Sequence, residues 1–313
     1  MGTAVAVRTA VQAQAAAPVR SMTMQELSAY WVAYVDASPK TVQSYTRSIR
    51  QFMKWLAEEK ITAPSRQDLM RYRDSLKSRL SPATVQAYMV AVRLFFRWLA
   101  DEAHLYPNIA EGLKGAKIDH AHHKKDYLTA AQVKTLLSSV GSSRDKAMLA
   151  LMVACGLRTV EISRLSVMDL TVAAGHCVVL VQGKGKEEKT AVKVPAQVEA
   201  LLRQYLATRR PEEATGEAPL FLAESNRSGG RLTTRSISRI VKGHFIAIGL
   251  NSDRLTAHST RHTAITLALM AGEGLEEVQH FARHASLSTT MIYAHDLDDA
   301  ENTCAEAVAG QIF

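Results

Sequence analysis

The stretch "SPKTVQSYTRSIRQFMKWLAEE", Ser38 to Glu59, returns 43 residues later as "SPATVQAYMVAVRLFFRWLADE", Ser81 to Glu102, with 12 of the 22 positions identical. Each copy begins with Ser-Pro, a side chain that caps a helix followed by the residue best tolerated in a first helical turn. Apolar residues then recur at helical spacing: Val42, Tyr45, Ile49, Phe52 and Leu56 in the first copy, Val85, Tyr88, Val92, Phe95 and Leu99 in the second. The chain must therefore hold two long helices with closely similar apolar stripes. Two copies are too few to stack as a solenoid, so they are expected to pair across a pseudo-twofold inside one small helical domain. Shorter helical patterns at Met24 to Val35 and Arg66 to Leu76 complete a four- or five-helix unit over residues 22–113.

Beyond this unit the composition changes. "GLKGAKIDHAHHKKD", Gly112 to Asp126, is rich in Gly, Lys and His and poor in apolar residues, which reads as a linker over about 114–126. Its three His match no metal-ligand spacing. From Tyr127 onward helices are expected at Thr129 to Ser139, Arg144 to Cys155 and Val160 to Leu165. Next, "HCVVLVQGKGKEEKTAVKVP" reads as two strands about a Gly-Lys turn. Helices resume at Ala196 to Thr208, Thr234 to Ile248 and His258 to Ala271, with shorter ones around Val278, Tyr293 and Ala305. The fold expected is mainly α, in two domains, the second (127–313) mostly helical with a small antiparallel β-sheet. Residues 1–21 read as a disordered tail: their Ala content resembles a signal peptide, but Arg8 interrupts the apolar region.

Charge narrows the partner. Thirty-eight Lys and Arg against 30 Asp and Glu give +8, which favours a polyanion such as nucleic acid. The three Cys are far apart and form no CxxC, so neither a disulfide framework nor a zinc site is indicated, and the compartment expected is reducing and cytoplasmic. The longest apolar run, Ala147 to Leu157, is far short of a bilayer span, so no membrane partner is expected. Two basic faces stand out. Lys40, Arg47, Arg50 and Lys54 share the polar side of the first repeat helix, open to solvation or to phosphate contact. In "RLTTRSISRIVK", Arg231, Arg235 and Arg239 recur every four residues, with Lys242 beyond, in a stretch free of Asp and Glu from Ser225 to Ser252. This reads as one basic helix face for DNA.

Three short segments carry reactive side chains. "CGLRTVEISRL" puts Arg158 at a junction after Gly156, with Glu161 three residues on as an acid to pair with it. "HSTRH" sets His258 and Arg261 three apart, on one face of a helix. His258 with His262, and His280 with His284, are spaced as zinc ligands, yet no HExxH occurs and no acid stands near the first pair. In "HASLSTTMIY" an unbroken helix would put His284 and Tyr293 on opposite faces, so a break is expected between them. Ser286, Ser288 and Thr289 then serve as caps of a new helix that presents Tyr293. Two Arg, a Lys-rich turn, two His and a Tyr suit attack of a phenol on a phosphodiester.

Arg158 in Gly-Leu-Arg, Lys184 in Gly-Lys-Gly, His258 and Arg261 in His-x-x-Arg-His, then His284 and Tyr293 nine apart, resemble the tyrosine recombinase family (phage integrase, Xer-like) in order and approximate spacing, from about Met22 to the C-terminus. The resemblance implies an N-terminal core-binding (SAM-like) domain and a catalytic domain that close around double-stranded DNA. It implies strand cleavage through a 3′-phosphotyrosine, with neither ATP, metal nor other cofactor. In that scheme Tyr293 is the nucleophile, Arg158 and Arg261 hold the phosphate, and Lys184, with Lys186 as rival, protonates the leaving 5′-oxygen. His258 takes or relays the phenol proton, His284 donates to the phosphate, and Glu161 and His262 support these groups from behind. Implied partners are a recombination site, three further copies in a tetramer joined by exchange of the C-terminal helix, and accessory DNA-bending or directionality factors, in a nucleoid-associated location. A type IB topoisomerase shares the chemistry; a non-catalytic DNA-binding protein and a metal-dependent nuclease are the alternatives from other classes. One departure stands out: where the family commonly has Leu-Gly-His, this chain has Ala282-Arg283-His284, which removes a Gly and adds a cation.

Overall fold

In the computed structural model, described over residues 22–117, 126–183, 188–223 and 230–298, the chain divides into two compact units, the division falling after Asp119. The expected tail, the helix around Ala305, and both Lys184 and Lys186 lie outside the described residues. Among the described residues no helix is long and apolar enough to cross a membrane.

Among the described residues the first unit has four helices, α1 (Met24–Tyr34), α2 (Pro39–Glu58), α3 (Arg66–Lys77) and α4 (Pro82–Asp101). The repeats are α2 and α4, and their Ser-Pro starts act as expected: the Ser38 hydroxyl accepts the Thr41 N–H and the Ser81 hydroxyl that of Thr84. The two helices pack on each other. Their shared stripe, however, is buried unequally. In α2 Ser48, Ile49, Phe52, Trp55 and Leu56 are enclosed, whereas in α4 Met89 and Phe96 join Val85, Ala91, Val92, Phe95, Trp98 and Leu99. The sequence differences between copies fit this: partly buried Thr46 and Met53 of α2 correspond to Met89 and Phe96, which give α4 a second apolar face. Phe52 of α2 packs on that face, its ring centroid 6.0 Å from Phe96, while Trp31 of α1 meets Phe95 of the shared stripe at 5.7 Å.

In the second unit come α5 (Ala130–Ser139), α6 (Ser143–Ala154), α7 (Thr159–Arg164), a sheet of β1 (Leu170–Ala173), β2 (His176–Gln182) and β3 (Lys189–Lys193), then α8 (Ala196–Ala207), α9 (Thr234–Ala247), α10 (Ala257–Met270), α11 (Leu275–Ala282) and α12 (Leu287–Asp298). The sheet is an antiparallel meander in the order β1-β2-β3, with Val179 facing Leu170 on one side and Val192 on the other. Strand β1 goes beyond the two strands expected. It is joined to β2 by Ala174 and Gly175, both at positive φ (49° and 75°), the geometry of a two-residue hairpin turn, with Ala in a place more often filled by Asn or Asp. The core draws apolar side chains from α6, α8, α9 and the sheet, among them Met148, Leu151, Val179, Leu202 and Phe245.

Candidate active site

The site is made where helices end. Helix α6 stops at Ala154, Gly156 turns the chain at φ +60°, and Arg158 caps the start of α7. Glu161, in the first turn of α7 and 1% exposed, accepts the Arg158 backbone N–H at 2.8 Å and its guanidinium at 2.8 Å. The expected Arg158–Glu161 pair is present. Burial pushes the Glu161 carboxyl up, but the Arg283 charge, the Arg158 N–H and the Arg158 guanidinium together outweigh it and hold the pKa below 4.5.

Arg261 comes from the second turn of α10 and is 2% exposed. A buried guanidinium must find acceptors. Here they are carbonyl oxygens at helix ends: Gly156 O, just past α6, at 2.6 Å, and Ala282 O, in the last turn of α11. Helix C-termini carry partial negative charge and unsatisfied carbonyls, so they hold the cation without neutralising it. Burial, then the charges of Arg158 and Arg283, draw its pKa down to about 9, still above neutrality, so the group stays cationic at physiological pH.

His258 and Arg261 are both on α10, but the interior places them differently: Arg261 is enclosed and His258 is exposed at the rim. The His258 ring meets His262 edge-on, centroids 4.7 Å apart, and buried His262 lies 5.2 Å from the Tyr293 ring. His262 thus stands between the two. An open cleft of about 480 Å³ flanks His258, bordered by Thr159, Ser238, Lys242 and Asp253.

The expected break within "HASLSTTMIY" is real. Helix α11 ends at Ala282 and α12 starts at Leu287. The Arg283 N–H donates to His280 O at 3.0 Å and the His284 N–H to Gln279 O at 3.1 Å, a helix stop that needs a left-handed residue. That residue is Arg283, at φ 53° and ψ 43°. Glycine takes this conformation freely, and an L-residue with a side chain costs about 1 kcal/mol more. His284 shares a 2.9 Å hydrogen bond with the buried Thr290 hydroxyl, which fixes its ring against α12. Thr290 is a supporting residue that no sequence pattern marked. Ser286 and Ser288 bond to each other at the surface.

Tyr293 is 4% exposed and stacks 6.2 Å from His284. Burial pushes its phenol up to about 12, against the pull of Arg261 and then Arg158. Both guanidiniums are therefore within electrostatic reach of the phenol. Counting charges, three guanidiniums (Arg158, Arg261, Arg283) share one carboxylate, so this pocket has a positive surplus suited to an oxyanion. Among the described residues no group of three or more His, Cys, Asp or Glu is arranged to hold a metal ion.

The basic faces divide. Lys40, Arg47, Arg50 and Lys54 are exposed on α2, with Lys54 3.7 Å from Glu58. Arg235 and Arg239 are exposed on α9. Arg231 departs from the expected helix face, because Thr233 caps α9 and the helix starts only at Thr234. Its guanidinium instead donates to Leu165 O at 2.8 Å, Ser163 O at 3.2 Å and Ser166 Oγ at 3.0 Å, tying the segment before α9 to the end of α7. Lys242 donates to Ser252 O at 2.7 Å and so tethers the loop leading to α10.

Residues 126–300 match the family described as "Phage integrase family", and residues 29–103 match "Phage integrase, N-terminal SAM-like domain". The chain is 32% identical over 268 residues to the tyrosine recombinase XerC of Pelobacter propionicus, covering 83% of this chain and 86% of the relative. It is 31% identical over 288 residues to the XerC of Herpetosiphon aurantiacus, covering 88% and 91%. Its fold is that of a XerH site-specific recombinase bound to palindromic difH substrate in a post-cleavage complex, with a TM-score of 0.69 at 23% identity over 85% of this chain and 80% of that one.

Proposed function

The chain belongs to the phage integrase family and is a site-specific tyrosine recombinase, and on that premise we propose that Tyr293 is the residue that breaks and rejoins the DNA strand. The carrying observation is the shared pocket: a buried phenol in electrostatic reach of Arg158 and Arg261, with charge to spare for a phosphate. That the XerH complex holds its difH substrate supports duplex DNA as the partner.

In the reaction the Tyr293 oxygen forms a bond to phosphorus as the P–O5′ bond breaks, leaving a 3′-phosphotyrosine and a free 5′-hydroxyl. Another strand's 5′-hydroxyl then attacks the same phosphorus and releases Tyr293. One ester replaces another, so the scheme consumes neither ATP nor metal. Arg158 and Arg261 hold the non-bridging oxygens, where charge grows in the five-coordinate transition state, and their planar forks suit that task. The phenol loses its proton to His258, with His262 lying between them, and His284 donates to the phosphate. Lys184, or Lys186 beside it, supplies a proton to the departing 5′-oxygen. Glu161 orients Arg158.

Residues 22–113 serve as the core-binding module and 127–313 as the catalytic one, joined by 114–126 and closing on the duplex. Lys40, Arg47, Arg235 and Arg239 meet the DNA backbone, while Arg231 and Lys242 build the surface that α9 presents. Four copies assemble on paired sites, linked by their C-terminal segments, with accessory factors setting direction and the nucleoid as the place of work.

The test is a nicked suicide duplex selected from a random library by covalent trapping. Wild-type protein is expected to give a denaturant-resistant protein–DNA band, in chelator as well as without it, and to exchange strands between two labelled duplexes. No band, or a band that survives Tyr293→Phe, overturns the assignment of Tyr293. Resealing without exchange marks a type IB topoisomerase instead.

A further inference from the structure

Arg283 departs from the family pattern, and its surroundings give it work. One terminal nitrogen donates to Phe281 O at 2.9 Å. The other donates to Gly156 O at 3.2 Å and to Glu161 Oε2 at 2.9 Å. Gly156 O is the carbonyl that also holds Arg261, and Glu161 is the carboxylate that also holds Arg158. Arg283 therefore touches a partner of each phosphate-gripping arginine. It reaches there from the left-handed turn that links α11 to the helix carrying Tyr293.

The bonds this guanidinium makes are to protein oxygens, two of which themselves hold Arg158 and Arg261, so the role they point to runs through these neighbours. Its electrostatic effect comes from sharing. A carboxylate paired with Arg158 alone would cancel most of that arginine's charge in so enclosed a place. Divided between Arg158 and Arg283, the same carboxylate orients Arg158 while leaving it more electropositive. We propose that Arg283 is a positioning residue of strand cleavage: it takes up part of the Glu161 charge and ties the Tyr293-bearing segment to the Gly156–Arg158 turn, so that Arg158 faces the phosphate as an effective cation.

The inference rests on Tyr293 being the nucleophile, and the experiment separates the two. Single-turnover adduct formation on a suicide duplex at saturating protein is measured for wild type, Arg283→Gly, Arg283→Gln and Arg283→Lys, each also in a Glu161→Gln background, with thermal melts of all. Arg283→Gly suits the left-handed backbone but lacks the guanidinium; Arg283→Gln keeps the backbone burden and lacks the charge. Both are expected to melt within a few degrees of wild type and to form adduct at least about tenfold more slowly, on the scale of one lost charge-assisted contact. Arg283→Lys, with charge but no fork, is expected to recover part of the rate. With Glu161→Gln there is no carboxylate charge to share, and removing Arg283 is expected to cost less than about threefold further. Wild-type rates in Arg283→Gly and Arg283→Gln overturn the proposal, as does an equal loss with and without the Glu161 carboxylate. Failure of both variants to fold leaves Arg283 a structural staple and overturns it too. A wild-type protein that forms no adduct defeats the Tyr293 reading itself, before Arg283 is in question.

Discussion

Both units bury aliphatic side chains, but they differ in what else they enclose. In the first, the interior is aromatic: Trp31, Phe52, Trp55, Tyr72, Phe95, Phe96 and Trp98 enclose one another, and among its described residues the buried polar side chains outside this group are Ser28 and Ser48. In the second, Glu161, Arg261, Asp145, Asp169 and His262 are enclosed. A helical module can be held by apolar burial alone, and the first unit is held that way. Burying charge is unfavourable unless each group is paired, so its presence in the second unit marks a place where something other than stability set the sequence. There the charges are left unbalanced: helix-end carbonyls satisfy Arg261 geometrically while leaving its charge.

That contrast can be broken in order of severity. Tyr293→Phe, which removes one oxygen from the charged interior, is expected to abolish the covalent protein–DNA band completely in denaturing gels. Arg261→Lys keeps a cation but loses the fork, and single-turnover cleavage is expected to fall on the order of 10²–10³-fold. Phe95→Ala strikes the aromatic interior instead. It is expected to destabilise the protein by about 3–5 kcal/mol in urea melts, while cleavage on saturating DNA below the melting transition keeps the wild-type rate. An effect on chemistry as large as that of Arg261→Lys would erase the distinction between the units.

Acid sharpens the comparison further. Because the Glu161 pKa in the folded protein lies below its ordinary value, the carboxylate stabilises the fold above about pH 4.5, and this contribution is lost as pH falls through the depressed pKa. Glu161→Gln has no such contribution, so its stability is expected to depend less steeply on pH in melts between about pH 6 and about pH 3. The smallest effect expected is for Arg239→Ala on the exposed face of α9. DNA affinity weakens for all sequences alike, and the slope of log affinity against log salt falls by roughly 1.

The first unit was readable almost to the residue because every level of its sequence agrees: Ser-Pro starts, a doubled stripe, and Thr23 and Ser65 capping the two remaining helices. In the second unit the helices and the β2–β3 hairpin were equally plain. Strand β1 was not, because its turn is Ala174-Gly175 without the usual Asn or Asp signal. The four-residue step through Arg231, Arg235 and Arg239 misled for a related reason: a cap at Thr233 interrupts the period, and a periodic count does not register caps. Of the site, the grouping of Arg158 with Glu161 and the break before α12 came from spacing and capping residues. The separation of His258 from Arg261 into rim and interior did not, since three-residue spacing fixes a shared side of a helix but not how deep each side chain sits. Arg283 was visible as an unusual residue. Its bonds to Glu161 and Gly156 depend on three chain segments meeting, which no local pattern encodes.

With 4% of its surface exposed, Tyr293 must be uncovered before its oxygen can do the work proposed for it. On the proposed reading, uncovering of the phenol therefore precedes bond breakage.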